Sequence, residues 1–385
     1  MIYLDNSATT KCRPEIASEI STILTENFAN PSSLHKLGFN AEQILKKSRN
    51  IFSNIFNCRD SEIIFTSGGT ESDNLALIGY AMLNKKKGNH IISSKIEHDA
   101  VLNSLKFLEN NGFEITLLDP NSSGIIEPDI LQKHIKDETI LISLMHVNNE
   151  LGSINNITTL SEVAKCKNQK IIFHCDCVQS FGKYEMKHLG ADMISISSHK
   201  IHGPKGAGLL YKNEKVNISP MIYGGGQQNS LRSGTENTAD IYGFALAADY
   251  EYKNLSSNFK KLHDIKSAYI EGINQLNKKY GNINILTPQN DLSSPHILNI
   301  IFSGIRSEVL LHSLEEDEIY VGTGSACSSH SREKSRVINA VGITNEDKDS
   351  SIRISLGDYN TLDEVSIVIN ALDNKIPILR KFVRK

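Results

Sequence analysis

Residues 62–77 read EIIFTSGGTESDNLAL. A β-rich run ends in Ser67-Gly68-Gly69-Thr70, and a helical pattern opens directly from that turn. Strand, tight glycine turn and helix form the repeating unit of an α/β fold. The orphan N–H groups and positive dipole end of such a helix suit a phosphate. A sterically tight connection would use the same glycines, and no Gly-Lys-Ser/Thr follows at the spacing of a nucleotide-binding P-loop.

The rhythm continues downstream. Strands are expected at Glu62–Thr66, His90–Ser93, Glu114–Leu118, Ile140–His146, Lys170–Cys175, Met193–Ser197 and Gly208–Tyr211, with helices at Ser72–Leu83, His98–Asn110, Pro128–Ile135 and Thr159–Lys165. This alternation predicts a mostly parallel, seven-stranded sheet covered by helices on both faces. Upstream, Ile16, Ile20, Ile23 and Leu24 share one helical face, as do Ala41, Ile44, Leu45, Ser48, Ile51 and Phe52. A long helical pattern from about Thr238 to Lys279 leads into a sparser region with strands near His296–Phe302 and Ser351–Leu356 and helices near Ser307–Glu315, Glu333–Ala340 and Leu362–Asn374. Residues 1–255 are therefore assigned to an N-terminal segment and a large domain, and 256–385 to a smaller C-terminal α+β domain.

At 385 residues the chain exceeds what one core usually organises. A net charge of −3 gives no reason to expect nucleic acid or an acidic membrane as partner. The opening MIYLDNSATTKC lacks a basic leader followed by an apolar run, and no stretch is apolar enough to span a bilayer. Cytoplasmic location is the expectation. The six cysteines, Cys12, Cys58, Cys166, Cys175, Cys177 and Cys327, are too scattered for a disulfide framework, which fits a reducing compartment.

Two further segments carry chemistry. In SISSHKIHGPKGAGLL (195–210), Ser197, His199 and Lys200 end a strand and enter a glycine-rich loop. A lysine at a strand end facing a cleft can lose solvation and become a nucleophile toward an aldehyde. In HCDCVQS (174–180), Asp176 ends a strand that reads as buried, a costly place for an unpaired carboxylate. A pyridinium nitrogen would answer it, as would a structural salt bridge. Cys175 and Cys177 share a strand face opposite Asp176; without a second ligand pair they read as buried thiols rather than a metal site.

A phosphate cradle, a buried carboxylate and a strand-end lysine each answer a different part of pyridoxal phosphate. With YLDNSATT, NPSSLHKLG, EHDAV, VNNELG, GGGQQNSLRSGTEN, GSACSS and RISLG in the same order along the chain, the sequence resembles the cysteine desulfurases. These are the NifS/IscS-like group of class V aminotransferases, with the pyridoxal-phosphate transferase fold type I. The resemblance implies that Lys200 bonds the cofactor aldehyde, Asp176 pairs with the ring nitrogen, and His98 stacks on the ring and exchanges protons. It further implies phosphate binding by Thr70, beside Gly69, and by Ser197 and His199, with Gln179 on the phenolic oxygen. Thr235 would reach the phosphate of a neighbouring subunit, hence a homodimer, and Arg353 with Asn149 would hold the substrate carboxylate. Asn30 and His35 match a family block without a physical role to assign.

Cys327 lies in VGTGSACSSHS, a Gly/Ser run that cannot pack a core and is expected to be mobile. By resemblance its thiolate takes sulfur from L-cysteine, leaving alanine, and passes the persulfide to an acceptor such as an iron–sulfur scaffold or a thiolation enzyme. A selenocysteine lyase or another class V aminotransferase is the alternative enzyme, and a weakly active sulfur carrier or scaffold the alternative of another kind. The sequence departs from the family's usual form at Gln228 and Ser230, where an acidic residue and a glycine are usual, and at Cys177, where a small residue is usual.

Overall fold

Strands buried on both faces read as continuous apolar runs, and the computed structural model, which describes residues 1–323, 336–343 and 347–382, pairs those runs into one sheet. Cys327 lies outside the described residues. In chain order the elements are β1 (Ile2–Leu4), α1 (Pro14–Glu26), α2 (Lys36–Phe56), β2 (Ile63–Thr66), α3 (Gly69–Asn84), β3 (His90–Ser94), α4 (Asp99–Asn110) and β4 (Glu114–Leu118). There follow α5 (Pro128–His134), β5 (Thr139–Ser143), α6 (Ile157–Lys167), β6 (Ile172–Asp176), β7 (Met193–Ser197), β8 (Gly208–Lys212), α7 (Thr238–Lys253) and α8 (Leu255–Tyr280). The C-terminal part adds β9 (Ile283–Ile285), β10 (Ile297–Phe302), α9 (Ser307–Glu315), β11 (Ile319–Thr323), α10 (Arg336–Ala340), β12 (Ser351–Ser355) and α11 (Leu362–Leu379).

The large sheet has seven strands in the order β2-β8-β7-β6-β5-β3-β4. Only β8 runs antiparallel to its neighbours. β2, β3, β5 and β7 are buried throughout, whereas the edge strand β4 is largely open to solvent. One face is sealed by α2 and α7, whose Phe52 and Phe244 stand 4.6 Å apart between ring centroids. Phe65 of β2 and Phe181 complete that aromatic cluster. Such offset rings contribute beyond the area they bury.

A second, five-stranded sheet has the order β1-β11-β12-β10-β9. Its core joins Leu262, Ile265, Tyr269 and Ile273 of α8 to Leu298, Ile300 and Phe302 of β10 and to Val368 and Leu372 of α11. One feature differs from the sequence expectation. The pattern from Thr238 to Lys279 is two helices, broken at Asn254 (φ −111°, ψ 13°), because α7 packs on the large sheet and α8 on the small one. The first strand, β1, does not join the large sheet; it pairs in parallel with β11, Ile2 opposite Ile319.

Backbone closeness sets the turn after β2. A Cβ added at Gly208, the first residue of β8, would lie 2.5 Å from the Gly68 Cα, and one at Gly69 would lie 2.7 Å from a Val178 methyl. Gly208→Ala is expected to destabilise the protein by about 1–3 kcal/mol, the usual cost of overpacking. Urea denaturation at unchanged m value checks this; an unaltered midpoint would show that the β2 turn yields without cost.

Candidate active site

The carboxyl ends of the parallel strands converge, as open α/β sheets dictate for ligand sites. After β2 comes the Gly68-Gly69 turn, after β3 His98, at the end of β6 Asp176, and at the end of β7 Ser197, followed by His199 and Lys200.

Lys200 extends its ammonium to the N-terminal segment, donating to the carbonyls of Ser7 and Ala8, the latter at 2.8 Å. Gln179 Nε2 donates to the same Ser7 carbonyl at 3.0 Å. The Asp176 carboxylate is buried and accepts from the Val178 N–H at 2.9 Å. Burial raises its pKa, while His98, the Val178 N–H and Lys200 pull it back. Asp176 thus feels both His98 and Lys200, and among the described residues it forms no ion pair. His98 caps α4, its Nδ1 accepting from the Ala100 N–H at 3.2 Å, so capping fixes the ring orientation.

The phosphate-type donors also meet. α3 begins at Gly69 with no side chain capping its N–H groups. Ser197 is buried, and its Oγ has no partner among the described residues. A buried hydroxyl left open beside an uncapped helix end fits an anion from a ligand. Thr70 is exposed in the first turn of α3. Burial, with Lys200 and Lys205 nearby, pushes His199 down to about 4, so its ring is neutral at pH 7; its Nδ1 lies 3.2 Å from Thr9 Oγ1.

At the small sheet, the buried Arg353 guanidinium donates to the Asn149 carbonyl (2.9 Å) and to Asp5 Oδ1 (2.7 Å), and its Nε is without a partner among the described residues. Gly322 pairs with Arg353 across β11 and β12, and a Cβ there would strike Asp5 Oδ1 at 2.4 Å. Thr235 is exposed on the loop before α7, and these contacts do not bring it to the Lys200 cluster. The departure at Gln228 is buried and bonds Arg49, the Phe65 N–H and Glu236. Ser230, where glycine is usual, takes the left-handed φ of 63° that glycine adopts without cost.

Sequence reasoning gave no role to the carbonyls of Ser7 and Ala8, and overlooked a buried charge network behind Lys200. There Arg13 donates to Glu251 at 3.1 Å and to Asp358, and stacks 3.6 Å over the Tyr250 ring centre. His202, Glu251 and Asp358 have metal-like spacing. Arg13 already bonds both carboxylates, and His202 Nε2 accepts from the Asp358 N–H at 3.2 Å, so the trio is committed to protein partners.

Residues 2–368 match the family model "Aminotransferase class-V". The chain belongs to that family of pyridoxal-phosphate enzymes, in its NifS/IscS-like cysteine desulfurase branch. It is 40% identical over 375 residues to "Cysteine desulfurase IscS" of Clostridium botulinum strain Hall, covering 96% of this chain and 93% of the relative. Among solved structures, a "NifS-like protein" superposes with a TM-score of 0.92 at 34% identity, covering 98% of this chain and all of the other. A second, "SspA in complex with cysteine", gives 0.81 at 32% identity, covering 94% of this chain and 100% of the other.

Glu97, next to His98, offers a pH test. Burial pushes its pKa up to about 8 from a model-compound value of 4.5, against the Ser94 hydroxyl and Met145 N–H that it accepts. A carboxyl raised on folding contributes stability at low pH and loses it as pH rises from 4.5 through about 8. Glu97→Gln keeps both accepted bonds and does not titrate. Its stability relative to the parent is expected to rise with pH across that window, by up to about 1.4 kcal/mol per pH unit. Thermal melts at pH 5 and pH 8 check it; a pH-independent difference would place an ionised Glu97 in the fold.

Proposed function

We propose that the chain removes sulfur from free L-cysteine, giving L-alanine and a persulfide on Cys327. The observation that carries this reading is where the segment holding Cys327 leaves and returns. It leaves β11 beside Arg353 and returns at Arg336, whose guanidinium donates to the carbonyls of Lys95 (3.0 Å) and Glu97 (2.9 Å) and to Asp99 (3.1 Å), bracketing His98. The IscS relatives and the cysteine complex of SspA support the same substrate.

When bound, pyridoxal phosphate supplies an aldehyde that captures amines and a ring that draws electrons from the adjoining α-carbon. Gly69, Thr70, Ser197 and His199 hold its phosphate, Asp176 its ring nitrogen, Gln179 its phenolic oxygen, and Lys200 its aldehyde. Arg353 and Asn149 take the substrate carboxylate; the open Arg353 Nε leaves a donor for it. Lys200, its amine released when the substrate amine takes its place, would remove the α-proton, and His98 would move protons at the same site. The Cys327 thiolate attacks the substrate sulfur, the carbon–sulfur electrons stay with the carbon skeleton, and protonation completes alanine.

The reading extends to a cytoplasmic homodimer that hands sulfur to an iron–sulfur scaffold or a thiolation enzyme. Among the described residues no helix is long and apolar enough to cross a membrane. Phe28, Leu34, Leu37, Phe39 and Tyr223 are exposed apolar side chains of the kind a subunit contact would cover, and Thr235 is exposed as well.

Lys200→Ala is expected to lower alanine formation by about 10²–10⁴-fold or more, the usual range for losing a general base. Cys327→Ser is expected to abolish alanine and persulfide while cysteine α-protons still exchange with heavy water, since exchange needs no thiol. Wild-type alanine rates in the serine variant would exclude Cys327 as the sulfur acceptor. Thr235→Ala is expected to weaken cofactor retention, and light scattering that found a fully active monomer would rule out the composite site.

A further inference from the structure

Cys175 and Cys177 have no part in the chemistry proposed above, yet they flank Asp176. Both are 0% exposed, and their sulfurs share a hydrogen bond at 3.5 Å. Alternation along β6 turns them to one face, opposite the Asp176 carboxylate. The strand ends between them. Asp176 is its last residue, and the Cys177 carbonyl then accepts from the N–H groups of Ser180 (3.0 Å) and Phe181 (2.8 Å) as the chain turns. The Cys177 N–H still donates to the Ser195 carbonyl of β7 at 2.9 Å, so only its carbonyl side has left the sheet. A disulfide needs the sulfurs at about 2.05 Å, so closure asks for about 1.5 Å of approach from the observed 3.5 Å.

The surroundings divide the two thiols into unequal partners. Burial pushes Cys177 up, but the neighbouring Cys175 sulfur, His146 ring and Ser180 hydroxyl outweigh it and bring the thiol down to about 6; the Ser180 hydroxyl itself donates to the Cys177 carbonyl at 3.3 Å. Burial holds Cys175 well up, so the two thiols differ in acidity. The His146 ring sits in this pocket with its Nδ1 unpartnered among the described residues, and its backbone N–H donates to the Asp176 carbonyl at 3.0 Å. A thiolate touching a protonated thiol is the arrangement from which a disulfide forms once an oxidant arrives.

We propose that Cys175 and Cys177 are a redox modification site, closing to a reversible disulfide with hydrogen peroxide and loosening the cofactor by displacing Asp176. The Cys177 sulfur attacks one peroxide oxygen, the O–O bond breaks, and the leaving hydroxide takes a proton to become water, leaving a sulfenic acid. The Cys175 sulfur then attacks that sulfur. The S–S bond forms, the S–O bond breaks, and the oxygen leaves with the Cys175 proton as a second water. Two thiols are oxidised and one peroxide is reduced to two waters. Complete burial limits the site to an oxidant about the size of water. The disulfide drags the residue between its arms, and its effect on the cofactor rests on Asp176 holding the ring nitrogen as proposed above.

The test uses the holoenzyme carrying Cys327→Ser, so that the sulfur-accepting thiol does not confuse the readout. Protein is treated with hydrogen peroxide or with glutathione disulfide, alkylated and digested. With peroxide, the tryptic peptide 171–183 is expected to lose two hydrogens and resist alkylation, and dithiothreitol is expected to restore both thiols. Glutathione disulfide, too large for a buried pair, is expected to leave it unchanged. After gel filtration, bound pyridoxal phosphate is expected to fall severalfold in the disulfide form and not in peroxide-treated Cys177→Ala. Two alkylatable thiols after peroxide, or oxidation of one thiol alone to a sulfinic acid, would overturn the proposal. Reduced Asp176→Asn separates the layers. If it loses cofactor while the disulfide form keeps it, the coupling is overturned and the role of Asp176 stands; if it keeps cofactor, that role is what fails, and the coupling with it.

Discussion

An ammonium held in a cleft must hand its hydrogens to acceptors, and Lys200 hands them to the carbonyls of Ser7 and Ala8. Most of the site's alignment depends on this strap of residues 5–10. The Ser7 carbonyl also receives Gln179, the Ser7 N–H donates to Ser355 Oγ at 2.9 Å, and Asp5 holds Arg353. Thr10 anchors the far side, its N–H and hydroxyl both donating to the His199 carbonyl at 2.9 Å. One short segment thus positions the lysine at the end of a large-sheet strand and the arginine of the small sheet in a common frame.

Behind the strap, a buried charge network keeps the frame stiff. Arg13 pairs with both Glu251 of α7 and Asp358 beyond β12, and so ties the two sheets' supporting elements together. Lys183 donates to the Lys200 carbonyl at 3.2 Å from the same region. Truncating the shared cation would leave two carboxylates without their partner in a poorly solvated place, where such losses cost about 3–5 kcal/mol. The small sheet is thereby held in register with the lysine loop by charge as well as by backbone bonding.

The large sheet was legible because its strands are apolar runs bounded by turns. Ile63–Thr66, Glu114–Leu118 and Met193–Ser197 fall within a residue of the expected spans. Strand β5 stops at Ser143 rather than His146, although the Leu144 and His146 N–H groups continue its parallel ladder onto the His174 (3.2 Å) and Asp176 (3.0 Å) carbonyls of β6. β1 and β9 escaped notice because strands of three residues carry too little periodicity to read, and the five-residue β11 was missed as well. In the site, residue types with chemical character, such as Lys200, Asp176 and His98, announced themselves at strand ends. Backbone acceptors did not, since a carbonyl has no signature in a sequence. The charge network was equally hidden, its members lying up to 345 positions apart.

The parallel pairing of β1 with β11, Ile2 against Ile319, also constrains when the protein can finish folding. During synthesis at about 5–20 residues per second, the first strand waits on the order of tens of seconds for its partner to leave the ribosome. The large sheet can form meanwhile, since its strands are all complete by residue 212. Until β11 arrives, residues 5–10 have no small sheet to fix their position, so the lysine loop matures before the strap that orients it. Pairings this distant in sequence form slowly, and the nascent chain carries an open strand edge in the interval. A chaperone that shields this edge would act on the last step of site assembly.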